Sequence, residues 1–301
     1  MRKQSAFDSS PPSHNGGLEV GVCRVVHACA GVYASDAKIP FVRIKPMHEY
    51  RLRQLALVTD DLDKISGQLS GAFGLRVGFR DPSVAEFGLI NALFPVGGDF
   101  VEILQPVKHD ASAKRYRERR GGDTGYMVIL QTGEALQHRA RLSAMGVRSI
   151  YTLERHGYLT TQFHPKEFGG ILASIDHMEV PDWKIAESDW EPAGPDWRAA
   201  RGSECLGFAA VTLQSADPAA MAARWAELLQ LPAPTTPPVL PLLGADIRFV
   251  ADADGSGAAM TGIDIRMRNP SAVLERAQSL GLPVRDGAVA ICGVQMRPVE
   301  G

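Results

Sequence analysis

A unit of one strand, one helix and further short strands occurs four times along the chain, and this repeat constrains the fold more than any other feature. The first copy runs from an alternating apolar segment through an acidic residue into a helix with one apolar face, and ends at Gly74. The third and fourth copies open their helices with Asp217 and Asn269, each a capping side chain followed by proline. The same local structure is therefore predicted four times.

Short strands separated by turn residues follow each helix, as at Gly97 with Gly98 and at Gly169 with Gly170. The unit is therefore β-α-β-β-β. One such unit leaves a sheet face uncovered, so the copies are expected to pair in twos. We predict an α+β fold in which paired βαβββ units form curved mixed sheets around a cleft, with two such domains in tandem.

The length of 301 residues fits two domains of ordinary size. We place the first at residues 50–178 and a second, shorter one at 204–301, joined by a linker at 179–203 that is rich in Trp, Pro and charge. Residues 1–46 lack sustained periodicity. We interpret them as a disordered or mis-assigned extension, with Met47 as an alternative start.

Composition narrows the class of partner. A formal net charge of −2 with interspersed signs provides no electrostatic footprint for nucleic acid or an anionic membrane, which favours a small-molecule ligand. The four cysteines are scattered without a CxxC pair, which is typical of free thiols in a reducing compartment. We therefore expect a cytoplasmic protein, with a homodimer possible.

Four motifs in order carry a family resemblance: "LALVTDDLD", "VEILQPV", "SAKRYRERRGG" and "FHPKEFGG". With them the chain resembles the vicinal oxygen chelate superfamily, which includes glyoxalase I, bleomycin-resistance proteins, extradiol dioxygenases and methylmalonyl-CoA epimerase. The first domain is most similar to the epimerases. The resemblance covers residues 50–178 well and residues 204–301 only through the repeat.

The resemblance implies a divalent metal held by one side chain from the first and last strands of each paired unit. The matching positions here are Gln54, Glu102, Tyr126 and Ser174, where the family uses His, Gln and Glu. A neutral phenol and a neutral hydroxyl are poor ligands for a divalent ion. We therefore expect no cofactor, with a divalent metal bound weakly at most.

Glu102 and Tyr126 are the predicted catalytic residues. Strand alternation points Glu102 into the cleft, where an apolar environment raises the pKa of a carboxyl and allows proton exchange; a salt bridge inside the barrel is the alternative. Tyr126 can donate a hydrogen bond to a developing oxyanion, or it is a core aromatic.

Gln54, Ser174 and His164 are the predicted substrate-binding residues. Gln54 is suited to orienting a neighbour or a ligand by hydrogen bonding. His164 marks the family turn, and a lone His is often structural. The basic run at 114–120 reads as a solvated helix face, with contact to phosphates as the alternative.

Two functions remain open. The first is an isomerase, epimerase or lyase that acts on a small oxygenated compound or acyl thioester by proton transfer, with a degenerate metal site. The second is a non-catalytic protein that sequesters a small molecule, as bleomycin-resistance members do. The inward carboxylate at Glu102 favours the enzyme, and the loss of two family ligands favours the binding protein.

Overall fold

The computed structural model describes residues 49–301, so the prediction for residues 1–46 lies outside the described residues. Two seven-stranded mixed sheets follow one another along the chain. The first sheet contains β1 (Arg51–Val58), β2 (Leu89–Val96), β3 (Asp99–Pro106), β4 (Thr124–Gln131), β5 (Ser149–Arg155), β6 (Tyr158–Phe163) and β7 (Leu172–Met178). The second contains β8 (Cys205–Ser215), β9 (Val239–Pro241), β10 (Asp246–Ala251), β11 (Ala259–Met267), β12 (Val284–Arg285), β13 (Ala288–Ile291) and β14 (Val294–Glu300).

Both sheets have the same plan. The strand order is β2-β3-β1-β4-β7-β6-β5 in the first sheet and β12-β13-β14-β11-β8-β10-β9 in the second. The opening strands of two units pair antiparallel at each centre, β1 with β4 and β8 with β11, and each also pairs in parallel with the last strand of its own unit. This arrangement confirms the predicted fold class.

The α-helices are α1 (Leu62–Phe73), α2 (Ser112–Arg119), α3 (Ala135–Ala144), α4 (Trp197–Ala200), α5 (Pro218–Leu229) and α6 (Pro270–Ser279). Three of them begin at the side-chain caps predicted from the sequence. Asp61, Asp217 and Asn269 accept hydrogen bonds from the backbone N–H groups three residues ahead, at 3.0, 2.9 and 3.2 Å. The helix α1 then ends at Gly74, whose φ of 69° is a left-handed conformation that glycine adopts without a steric penalty. None of the helices between residues 49 and 301 is long and apolar enough to span a membrane.

The predicted β-α-β-β-β unit needs one correction. The second and fourth units have three strands after the helix, whereas the first and third have two. In the first unit the missing strand is reduced to a single bridge between Phe79 and Leu93, because Asp81 and Pro82 start a short 3-10 helix at Pro82–Phe87. In the third unit the prolines between residues 232 and 238 remove the N–H donors that a strand needs.

Residues 179–203 pack against the first sheet, on the face away from α1 and α3. Trp190 and Trp197 are each 1% exposed. The Trp190 ring meets Tyr158 at 5.4 Å and the Trp197 ring meets Phe100 at 5.0 Å, both edge to face. The segment therefore contributes apolar core to this sheet face.

Candidate active site

A cavity of about 580 Å³ lies over the same face of the first sheet. Strands β1, β3, β4 and β7 supply its floor. Its walls come from the 3-10 helix Pro82–Phe87, from β5, and from Glu191 and Pro192 of the segment 179–203. The cavity has the size of a small-molecule site.

Four of the five predicted site residues line this cavity: Gln54, Glu102, Tyr126 and Ser174. Gln54, Glu102 and Ser174 lie on three different strands. The alternation of side chains along each strand points all three to the cavity face. Tyr126 faces the cavity because of a β-bulge. In the pairing of β1 with β4, Ala56 is opposite Met127 and Leu57 is opposite Gly125, so Tyr126 between them is unpaired.

Glu102 is a buried carboxyl held by two amides. Gln54 Nε2 donates to Oε2 at 2.9 Å, and Asn91 Nδ2 donates to Oε1 at 2.6 Å. Burial raises the pKa of Glu102 above its usual range, and the two amide hydrogen bonds offset part of this rise. Within residues 49–301 Glu102 forms no salt bridge, so the salt-bridge alternative is wrong there.

Gln54 is oriented by a residue that the sequence had assigned to a linker. Trp190 Nε1 donates to Gln54 Oε1 at 2.7 Å. Because an indole N–H can only donate, the Gln54 oxygen must face Trp190, and its NH₂ group is left to face Glu102. Gln54 therefore contacts a catalytic candidate through a fixed amide.

Tyr126 retains its proton at neutral pH. Its ring packs edge to face against Tyr116 at 5.4 Å. Burial, with smaller effects of Tyr116 and Glu102, raises the pKa of Tyr126 to about 12. The phenol is thus a hydrogen-bond donor beside the buried carboxyl.

A second buried carboxyl, Asp176, was missed by the sequence analysis. It lies two residues beyond Ser174 on β7, so it lines the same cavity, and it is 1% exposed. Tyr158 Oη donates to Oδ2 at 2.6 Å and Thr160 Oγ1 donates to Oδ1 at 2.8 Å. Burial raises the pKa of Asp176 to about 7, although the hydrogen bonds from the Tyr158 and Thr160 hydroxyls lower it. The two-residue alternation of side chains along β7 would have placed Asp176 on the same face as Ser174.

His164 and the basic run lie outside this arrangement. His164 does not line the cavity; its Nδ1 accepts the backbone N–H of Lys166 at 3.2 Å and caps the short turn Pro165–Phe168. In the structure His164 therefore has a capping role away from the cavity, and its predicted contact with substrate stays a prediction. In the basic run, Arg117 pairs with Asp60 and Asp123 at 2.6 and 2.8 Å.

The comparisons with known proteins concern the fold. No protein-family model matches the chain, and no curated protein matches it. A variant of 4-hydroxymandelate synthase from Streptomyces coelicolor superposes with a TM-score of 0.59 at 14% identity, over 78% of this chain and 76% of the synthase chain. This match spans both sheets. The chain has the two-domain vicinal oxygen chelate fold.

Methylmalonyl-CoA epimerases also resemble part of the chain. A variant of the enzyme from Streptomyces coelicolor, bound to 2-nitronate-propionyl-CoA, matches at a TM-score of 0.40 and 18% identity, over 43% of this chain and 98% of its own. The enzyme from Mycobacterium tuberculosis matches at a TM-score of 0.39 and 19% identity, over 43% of this chain and 88% of the epimerase chain. The chemistry of this chain is therefore inferred from its own cavity.

The vicinal oxygen chelate fold implies a metal, but the donors in the first sheet do not fit one. Both Glu102 oxygens accept amide N–H groups, and the Gln54 oxygen accepts the Trp190 indole. The other two ligand positions hold the neutral hydroxyls of Tyr126 and Ser174. Across residues 49–301 no group of three or more His, Cys, Asp and Glu side chains is placed to hold a metal ion.

The second sheet holds no equivalent pair of uncompensated carboxyls in the described chain. Its buried acid, Asp264, pairs with Arg248 and lies 4.0 Å from Arg297. An acid compensated by two guanidinium groups is suited to holding strands together, and a poor proton acceptor.

Proposed function

We propose that the protein is an acid–base enzyme, of the isomerase, epimerase or lyase type, that acts on a small oxygenated compound or acyl thioester without a tightly bound metal. The observation that carries this proposal is the pair Glu102 and Asp176. Both carboxyls are buried, both line one cavity, and within residues 49–301 neither has a cationic partner at ion-pair distance.

The cavity supplies the groups that proton transfer at carbon requires. A carboxyl whose pKa lies near 7, such as Asp176, is well matched to accept and return a proton at neutral pH. Glu102 offers a second carboxyl in the same cavity. When a proton leaves the carbon beside a carbonyl, negative charge develops on the oxygen, and the Tyr126 phenol can donate a hydrogen bond to it.

A binding protein is the second candidate, and the apolar part of the lining favours it. Leu89, Leu104, Met127, Ile129 and Leu172 face the cavity. They would hold an apolar ligand by desolvation alone. The two candidates differ in whether a bound compound exchanges a proton.

Deuterium exchange distinguishes them. The chelator-treated full chain is incubated in D₂O with a panel of 2-substituted acyl thioesters, 2-hydroxy acids and 2-keto acids, and loss of the C–H signal is followed by proton NMR. We expect exchange with one compound class, and a fall of about 10²- to 10⁴-fold in Glu102→Gln and Asp176→Asn. Glu275→Gln, at an exposed carboxyl on α6, is the control.

Exchange that survives in both cavity variants would contradict the assignment of these carboxyls. Saturable binding of a panel compound with no exchange by the wild-type chain would favour the binding protein.

A further inference from the structure

Trp190 contacts both Gln54 and Tyr158, which are the hydrogen-bond partners of the cavity carboxyls Glu102 and Asp176. Its indole N–H donates to Gln54, which in turn donates to Glu102. The ring of Trp190 also packs edge to face on Tyr158, with the ring planes at 85°, and Tyr158 donates to Asp176. One side chain therefore contacts both hydrogen-bond chains.

We propose that Trp190 is a positioning residue for both carboxyls: its N–H fixes the Gln54 amide toward Glu102, and its ring holds the Tyr158 hydroxyl on Asp176. The segment 179–203 thereby becomes a part of the site. The catalytic meaning of this inference rests on the proposed function, but the geometry can be tested without a substrate.

The position of Trp190 is itself fixed by its surroundings. The Arg53 guanidinium lies 5.3 Å from the Trp190 ring centre, within the range of a cation–π contact. The next residue, Glu191, forms a salt bridge with Arg155 at 2.7 Å, accepts a hydrogen bond from its Nη2 at 3.3 Å, and lines the cavity. These contacts anchor the segment where it meets the carboxyl partners.

The consequence of losing the indole N–H follows from the donor inventory. Without a donor on its oxygen, the Gln54 amide is free to rotate and present its carbonyl to Glu102. A carbonyl at that distance favours the protonated carboxyl, whereas the NH₂ group favours the ionised one. The protonation of Glu102 therefore reports the orientation of Gln54.

Trp190→Phe tests the proposal, with Trp197→Phe as a matched control. Both indoles are 1% exposed and pack edge to face on an aromatic ring, but within the described chain Trp197 Nε1 has no hydrogen-bond partner. The side-chain carboxyl carbons of ¹³C-labelled Glu and Asp are titrated by NMR, and Glu102→Gln and Asp176→Asn assign the two signals. We expect the pKa of Glu102 to rise by about one unit in Trp190→Phe, because a charge-assisted hydrogen bond is lost.

The pattern across variants separates positioning from general damage. Trp190→Phe keeps the ring, so the Asp176 titration is expected to stay in place, whereas Trp190→Leu should move both titrations. Gln54→Leu should reproduce the Glu102 shift, and adding Trp190→Phe to it should cause no further change. An unchanged Glu102 titration in Trp190→Phe, or an equal shift in Trp197→Phe, would overturn the proposal.

The wild-type chain gives a second measurement if Trp190→Phe fails to fold. The indole N–H signal of Trp190 should exchange slowly and shift as Glu102 titrates, whereas that of Trp197 should not follow Glu102. A Trp190 N–H chemical shift that stays constant while Glu102 titrates would overturn the proposal. Absence of deuterium exchange in the substrate panel would count against the proposed function and leave this result unaffected.

Discussion

Replacing Arg51 with Met should lower the free energy of unfolding by about 3–5 kcal/mol, because it leaves a buried carboxylate without its cation. Arg51 donates through Nε to Asp99 Oδ1 at 2.8 Å, and the two side chains are 8% and 12% exposed. Asp99 Oδ2 also accepts the backbone N–H of Phe208, at 3.1 Å, which ties the first sheet to β8. Chemical denaturation at neutral pH measures the change.

Arg53, two residues along the same strand, supplies the matched control. Its guanidinium is fully buried with one hydrogen bond, from Nη2 to Ser188 O at 2.7 Å, and within residues 49–301 it has no salt-bridge partner. Burial lowers the pKa of Arg53 to about 9. Because Arg53→Met removes a costly buried charge without an acidic partner, together with one hydrogen bond and the cation–π contacts with Phe100 and Trp190, we expect a change within about 1 kcal/mol. Equal damage from both substitutions would contradict this account of the two arginines.

Raising the pH from 5 to 8 should lower the free energy of unfolding by about 2.5 kcal/mol through Asp176 alone. Its pKa is about 7 in the folded chain, against an ordinary value of 3.8. Between these values the folded state holds a proton that the unfolded state has released, so stability falls as pH rises, by about 1.4 kcal/mol per unit, and levels off above 7. Glu102, whose pKa is also raised, acts in the same direction.

The substitution Asp176→Asn isolates this effect, since an amide does not titrate in this range. Denaturation of both proteins at a series of pH values should give a shallower pH dependence for the variant. Parallel curves would show that Asp176 does not carry a raised pKa.

Sequence patterns that act through neighbouring residues predicted the repeated architecture well. The features that they missed depend on tertiary contacts. The caps at Asp61, Asp217 and Asn269 act through neighbouring backbone, so the sequence pattern was enough to place three helices. The missing strands of the first and third units follow from proline, which was visible in the sequence but was outweighed by the repeat.

The part of the candidate site that depends on local strand alternation was predicted, and the part that depends on a long-range contact was not. Gln54, Glu102 and Ser174 face the cavity because strand alternation is a local rule, and that rule also reaches Asp176. The contact of Trp190 with Gln54 joins residues 136 positions apart in the chain. A Trp- and Pro-rich segment without periodicity gives no indication of which sheet face it covers, so this contact could not be read from the sequence.

We propose that Glu102 and Asp176 carry protons in this cavity and that the cavity binds no metal tightly. A cobalt titration of the full chain, followed by visible absorbance and calorimetry, tests this proposal. We expect no tight one-to-one binding, and no change in the unfolding transition on adding cobalt or a chelator, because a ligand that binds only the folded state would stabilise it. Tight stoichiometric binding with a visible cobalt spectrum, lost in Glu102→Gln, would contradict the claim and show that Glu102 is a metal ligand.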